Sequence, residues 1–231
     1  MCGRHPNLYP WHFQWHVTKD LHIWQKKVMW NLEGKILDVG CGNKPYQNWI
    51  NPLNLYKYIG LDVIHGNDVD VLVTPTEIWP LESKGFDCVI MAQVIEHVED
   101  LSHTMSEVTR VLKDEGTLII TVPFIYPVHG IPYDFRRFTT YGIESLLNSN
   151  YKIMDITSSG KLGSVLASLL LIGIENNFNC SFLTRLVKGI VLPVWIFLSF
   201  IVNVVCLLIN LIDVRKTHYC NVCVVAKKTS S

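Results

Sequence analysis

Hydrophobic positions start at helical spacing and then change to short apolar runs. Leu21, Trp24 and Val28 share one stripe of a 3.6-residue period, which predicts a helix over 18–31, and Gly34 follows as a stop signal. Beyond it, short apolar runs predict strands over 35–39, 58–63, 69–73, 86–91 and 117–122. Leu101, Met105, Val108 and Leu112 return to helical spacing and predict a helix over 99–112, closed by a turn over 114–116. A helix over 140–147 and strands over 151–157 and 219–226 complete the pattern. Strands alternating with helices imply an α/β fold, a mostly parallel sheet covered by helices on both faces.

The last two strands are separated by a stretch of different character. Residues 189–212 include no charged side chain, and about 20 apolar residues suffice to span a bilayer. Pro193 interrupts this run, and 162–174 is a second apolar stretch, too short to span alone. Arg185 and Lys188 flank one end of the long run, Arg215 and Lys216 the other. The reading divides the chain into an aromatic, helical lid segment (1–34), a core (35–160), an apolar helical insert with membrane contact (161–217), and a final strand and tail (218–231).

Composition sharpens this. Charged residues make up 17% and mean hydropathy is +0.24, where about 25% charged is usual for soluble domains. Lys plus Arg and Asp plus Glu both number 20, so the net charge is zero. A nucleic-acid partner, which calls for a basic excess, is therefore not expected. The seven cysteines suggest no disulfide framework, and Cys220 and Cys223 stand three apart in a strand, facing opposite ways. Reduced thiols imply a cytoplasmic setting. Residues 1–10 have no apolar run, so no secretory signal is expected there. His5, His12, His16 and His22 lack metal-ligand spacing, and no metal site is expected. Trp11, Phe13, Trp15, Trp24 and Trp30 suit a lid or an interfacial rim.

The chemistry concentrates after the first strand, which ends Asp38, Val39, Gly40, Cys41, Gly42. Glycines in this position let backbone approach a ligand closely. Asp62 closes the second strand, at about the distance where an acidic residue grips ribose hydroxyls in nucleotide-binding units. Asp38 to Gly42 resembles motif I of the class I S-adenosylmethionine-dependent methyltransferases. Phe86 to Ile90, Val94 to Val98 and Arg110 to Gly116 resemble that superfamily's fourth strand, the turn after it and the entry to strand five. The resemblance implies a Rossmann-like doubly wound sheet of seven strands, the last antiparallel, with the apolar insert before it. It further implies S-adenosylmethionine as cofactor. Gly40, Cys41 and Gly42 would pack against its methionine and ribose part, Asp38 would hold the amino end, Asp62 the ribose, and Ala92 and Gln93 would line the sulfonium side. Thr74 stands where the superfamily often has an acidic residue near adenine.

The stretch from Pro123 to Thr139 is similar to a subgroup found with glycan and polysaccharide synthesis, matching at Pro123, His129, Pro132, Asp134, Arg137 and Thr139. An oxygen acceptor must lose a proton, and a histidine suits that task. His129 is the candidate base, oriented by Asp134, with Arg137 holding a polar part of the acceptor. The competing reading makes the three a structural brace. His97 reads as a packing residue. No Asp-Pro-Pro-Tyr-type motif follows strand four, which also argues against nucleic acid. The expected activity is O-methylation of a glycan, lipid-linked or other small-molecule acceptor at a membrane. The alternatives are a quinone or lipid methyltransferase, and a non-catalytic cofactor-binding partner protein. A single membrane crossing by 189–212 would strand the last β-strand away from its sheet. The segment must therefore turn back at Pro193, pair with 162–174 as a hairpin, or lie along the interface.

Overall fold

Seven strands form one sheet in the order β3-β2-β1-β4-β5-β7-β6. They are β1 (Gly34–Val39), β2 (Tyr56–Asp62), β3 (Val71–Leu72), β4 (Phe86–Ala92), β5 (Leu112–Pro123), β6 (Tyr151–Ser159) and β7 (Asn221–Lys228). The computed structural model describes residues 9–147, 150–215 and 217–230. His5, the rest of the first eight residues and Lys216 lie outside the described residues.

β1 pairs in parallel with β2 and β4, and β4 with β5, while β7 runs antiparallel to both its neighbours. The chain winds outward from β1 to β3, then returns to start again at β4. The carboxyl ends of β1 and β4 thus part at a topological switch point, where such sheets bind ligands. The central strands are buried on both faces, which is why they read as unbroken apolar runs. On one face Leu37, Val39, Val89, Met91, Leu118 and Ile120 pack under α2 (Leu101–Val111) and α3 (Thr140–Leu147). On the other, Ile36, Cys88, Ile90 and Ile119 pack against Met29, Trp24 and Val28 of α1 (Trp15–Met29).

Three expectations change. α1 begins and ends earlier than the stripe suggests, and it lies along the sheet as a wall. The turn expected at 114–116 is a bulge inside β5: Leu112 pairs with Phe86 but Thr117 with Cys88, and Glu115 takes a φ of 60°. Helical cover is also thinner than expected, because among the described residues no α-helix links β1 to β2, β2 to β3 or β3 to β4. The loop before β4 is pinned instead by Arg110, which donates to the carbonyls of Trp79 (2.9 Å) and Leu81 (2.7 Å) and pairs with Glu107. Glu107 in turn accepts from the Trp79 amide at 2.7 Å.

The insert is a helical hairpin, α4 (Leu162–Phe178) and α5 (Phe182–Ile212). α5 continues through Pro193, so of the three arrangements weighed the return at that residue does not occur and the segment pairs with α4 instead. One proline removes one ladder bond, and the 31-residue helix runs on past it. The helices meet closely: a Cβ added at Gly163 would stand 2.0 Å from the Cys206 carbonyl oxygen. Asn210 and Asp213 accept from the amides of Ser164 (3.1 Å) and Leu162 (2.8 Å), locking the end of α5 to the start of α4. At the far end Lys188 pairs with Glu175.

The hairpin is rooted in the sheet domain. The Asn203 side-chain amide donates to the carbonyls of Pro10 (2.6 Å) and His12 (3.1 Å), and His16 Nε2 donates to the Asn203 carbonyl at 2.9 Å. Val165 and Ile172 pack with Val17 and Cys220, and against Phe13, Ile125 and Tyr126. Away from this root the surface is apolar and exposed, at Leu169, Leu170, Phe182, Ile190, Phe197 and Leu211 among others. α5 is long and apolar enough to cross a membrane, and only 22% of its most apolar window is buried.

Candidate active site

The glycine turn after β1 is built for close approach. Gly40 and Gly42 have φ of 67° and 50°, in the left-handed region that favours glycine. The amides of Gly40 and Cys41 both donate to the Leu61 carbonyl, at 2.8 and 3.1 Å, so the turn is clamped to β2. A Cβ at Gly40 would lie 2.6 Å from a methyl of Val94, which fixes the turn against the segment leaving β4.

Three acidic groups frame the turn. Asp62 accepts from the Gly42 amide (2.9 Å) and, through its other oxygen, from the Ile64 amide (3.0 Å). Asp38 is 1% exposed. One of its oxygens accepts from the Tyr58 hydroxyl at 2.7 Å, and the other has no partner. Burial drives its pKa up to about 7, against the pull of the Tyr58 hydrogen bond. Asp70 pairs with Lys44 at 2.5 Å and accepts from the Gly60 amide at 2.7 Å. Cys41 is buried, and that burial pushes its thiol up to about 12. Ala92 is buried at the end of β4. Gln93 follows with φ of 59°, its amide donating to the Thr121 carbonyl at 2.8 Å. Its side-chain nitrogen reaches Thr121 Oγ1 (3.4 Å), as does that of Gln25 from α1 (3.3 Å). All seven residues expected at the cofactor therefore sit at the carboxyl ends of β1, β2 and β4. Thr74 is an exposed turn residue whose amide donates to Glu77 at 2.9 Å, and the acid of that loop is Glu77.

A second cluster lies on the loops after β4 and β5. Asp134 accepts from the His129 amide at 2.9 Å and stands 3.3 Å from His129 Nδ1. Arg137 grips both oxygens of Asp134 through its two terminal nitrogens, and these also donate to the carbonyls of Tyr126, Pro127 and Arg136. The guanidinium holds Asp134 well below the usual carboxylate range. Burial lowers the His129 pKa, and Asp134 pulls it back up. His97 lies edge-on to His129 with ring centroids 4.7 Å apart, and its Nδ1 is 2.7 Å from the Tyr133 carbonyl. Glu96 is fully buried beside it, with its pKa raised to about 8 by burial.

Residues 37–120 match the family model of the methyltransferase domain. A protein of Methanocaldococcus jannaschii described as uncharacterised is 29% identical over 139 residues, covering 56% of this chain and 49% of that one. The chain thus spans about half the length of the relative it matches. Solved structures share the fold at low identity. The [4+2]-cyclase SpnF superposes with a TM-score of 0.59 at 16% identity, covering 94% of this chain and 83% of its own. The putative sarcosine dimethylglycine methyltransferase of Galdieria sulphuraria gives 0.57 at 15%, covering 92% and 86%. Phosphoethanolamine N-methyltransferase 2 of Haemonchus contortus, solved with S-adenosylmethionine, gives 0.53 at 16%, covering 92% and 52%. Residues 37–120 are thus similar to a methyltransferase domain, and the sheet has the fold of the solved methyltransferases.

The turn after β1 has a geometry that fits S-adenosylmethionine. The unpartnered oxygen of Asp38 is a buried acceptor awaiting a donor, which a cationic amino group supplies. Val94 excludes a Cβ at Gly40, and both Gly40 and Gly42 take positive φ, so the turn stays bare backbone that a ligand can approach closely. Bound there, S-adenosylmethionine supplies an electrophilic methyl group. The domain's open depression at the other end of the strands, lined by Asn31, Gly34, Asp87 and Thr117, lies away from this chemistry. Sequence reasoning overlooked Lys44, which steadies Asp70 beside the turn, and Glu96, whose position in the turn after β4 and before a histidine is the available signal.

Proposed function

We propose that this chain moves a methyl group from S-adenosylmethionine to a hydroxyl of a glycan or lipid-linked intermediate at a membrane surface. One observation carries the reading. Val165 and Ile172 of the apolar hairpin belong to the buried cluster against which Ile125 and Tyr126, of the loop that presents His129, also pack. An acceptor held at a lipid surface by the hairpin would therefore meet the loop facing the cofactor.

In this reading Asp38 binds the cofactor's amino group, Asp62 its ribose, and the segment Ala92–Gln93 flanks the sulfonium. His129 is the group on the acceptor side. Both neighbours of its Nδ1, Asp134 and the Pro127 carbonyl, are acceptors, so the proton resides on Nδ1 and Nε2 keeps a lone pair. Arg137 serves as a clamp on Asp134, since its terminal nitrogens are taken. Residues 161–217 make the membrane contact. Association with the bilayer would follow from the exposed apolar faces of both helices together with Arg185 and Lys188 at one end.

The test is calorimetric titration of the detergent-purified chain with S-adenosylmethionine beside Asp62→Ala, then transfer of labelled methyl to membrane lipid and glycan extracts. Saturable binding weakened in the variant, with label in a lipid-linked or glycan fraction, is the expected result. Well-folded chain that binds no cofactor would overturn the reading and favour a non-catalytic partner protein.

A further inference from the structure

Glu96, His97 and His129 come together from two loops, and their nearest ligand atoms all lie within 4.8 Å of one another. His97 Nε2 stands 3.7 Å from Glu96 Oε1. Two histidines and a carboxylate converging on one point are a donor set for a divalent transition metal.

Two independent observations point the same way. Glu96 is fully buried, yet neither of its carboxylate oxygens meets a hydrogen-bond partner from another residue. A buried carboxyl left without partners carries an uncompensated desolvation cost, and a cation would offset it. The second observation is how the imidazoles are held. The Tyr133 carbonyl, 2.7 Å from His97 Nδ1, can only accept, so Nδ1 carries the proton and Nε2 is left with its lone pair. His129 Nδ1 is likewise turned to acceptors, the Asp134 carboxylate and the Pro127 carbonyl, both at 3.3 Å. Metal-binding histidines commonly donate their remote nitrogen to a carboxylate or a backbone carbonyl, which fixes the tautomer and aims the ring. Here both histidines have that support, and Arg137 holds the supporting Asp134.

We propose that Glu96, His97 and His129 form a binding site for a single divalent transition-metal cation on the acceptor side of the methyltransferase domain. Ligand bonds of about 2.0–2.2 Å require donor atoms closer than they now stand, so side-chain rotation draws them together on binding. Gly130 leaves space for that movement only because it lacks a Cβ, which would sit 3.1 Å from the His97 ring. Three protein ligands leave positions for water and for an acceptor oxygen. The site deepens the proposed function and rests on it in one respect: a cation on Nε2 takes up the lone pair of His129, so in place of a histidine base the cation lowers the pKa of the acceptor hydroxyl, whose proton passes to solvent water.

The experiment uses the full chain, stripped with chelator, titrated with Co2+ and followed by visible absorption and calorimetry. Wild type is compared with Glu96→Gln, which keeps the shape of the buried side chain, and with His97→Ala. S-Adenosylmethionine binding is measured on the same samples. The expected result is one Co2+ per chain with ligand-field bands, an affinity loss of roughly tenfold or more in both variants, and unchanged cofactor binding. Absence of saturable Co2+ binding, or binding equally tight in both variants, overturns the proposal. Failure of the broader reading would appear separately, as a well-folded wild type that binds no S-adenosylmethionine.

Discussion

Asp38→Asn should separate the stability of the domain from its affinity for cofactor. The folded chain keeps Asp38 protonated up to about pH 7, whereas its ordinary pKa is 3.8. Between those values the unfolded chain holds fewer protons than the folded one, so the Asp38 contribution to stability falls as pH rises. Below the lower value it costs nothing. Above the upper one the full penalty applies, roughly three pKa units at 1.36 kcal/mol each, or about 4 kcal/mol. Asparagine has no proton to lose and can still accept the Tyr58 hydrogen bond. The variant without ligand should therefore match wild type near pH 4 and exceed it increasingly towards pH 8. At about 2–4 °C per kcal/mol for a chain of this size, the gap in Tm should reach roughly 10 °C. With Asp38 holding the cofactor's amino group as proposed above, affinity should move the opposite way, falling at least about tenfold at pH 8 because that group would lose a charged partner. Thermal unfolding across the pH range, with calorimetric titration at pH 8, measures both. A constant difference in Tm from pH 5 to pH 8 would refute the strained-carboxylate argument.

Other substitutions test other parts. Gly40→Ala forces a Cβ into Val94 at a positive φ; cofactor binding by calorimetry should fall more than about tenfold, with about 1–3 kcal/mol of stability lost. Asn203→Leu leaves the Pro10 and His12 carbonyls without their donor. It should cost about 1–3 kcal/mol and make the segment before α1 the first site of limited proteolysis. Arg110→Met releases the Trp79 loop and unpairs Glu107. Chemical denaturation should show a loss of about 2 kcal/mol or more, with cofactor affinity nearly unchanged.

What could be read from the residues follows from the range of the interactions involved. β1, β4 and β5 are buried on both faces, so their apolar runs announce them. The turn at Gly40 and Gly42 is local chemistry, legible as spacing. The start of β5 is not legible in the sequence because Asp114 to Gly116 has turn composition, while pairing with β4 absorbs those residues as a bulge. The clustering of Glu96 and His97 with His129 depends on two loops meeting beyond the sheet, which no sequence period encodes. The commitment of Arg137 to Asp134 is equally tertiary. Likewise the apolar length of 189–212 was plain, but its close packing on α4 at Gly163 depends on the fold.

The position of β7 has a consequence for how this molecule is made. The strand lies between β5 and β6, yet it leaves the ribosome after both of them and after the whole hairpin. Until it arrives, β5 and β6 each present an open edge, and such edges invite pairing with other chains. The sheet closes only through contacts between residues far apart in sequence, such as Thr117 with Lys227, and closures of that kind are slow. The apolar hairpin emerges during that interval. Folding of the sheet is thus tied in time to the hairpin finding its surroundings, and a nascent chain whose hairpin has nowhere apolar to go would wait with its sheet unfinished.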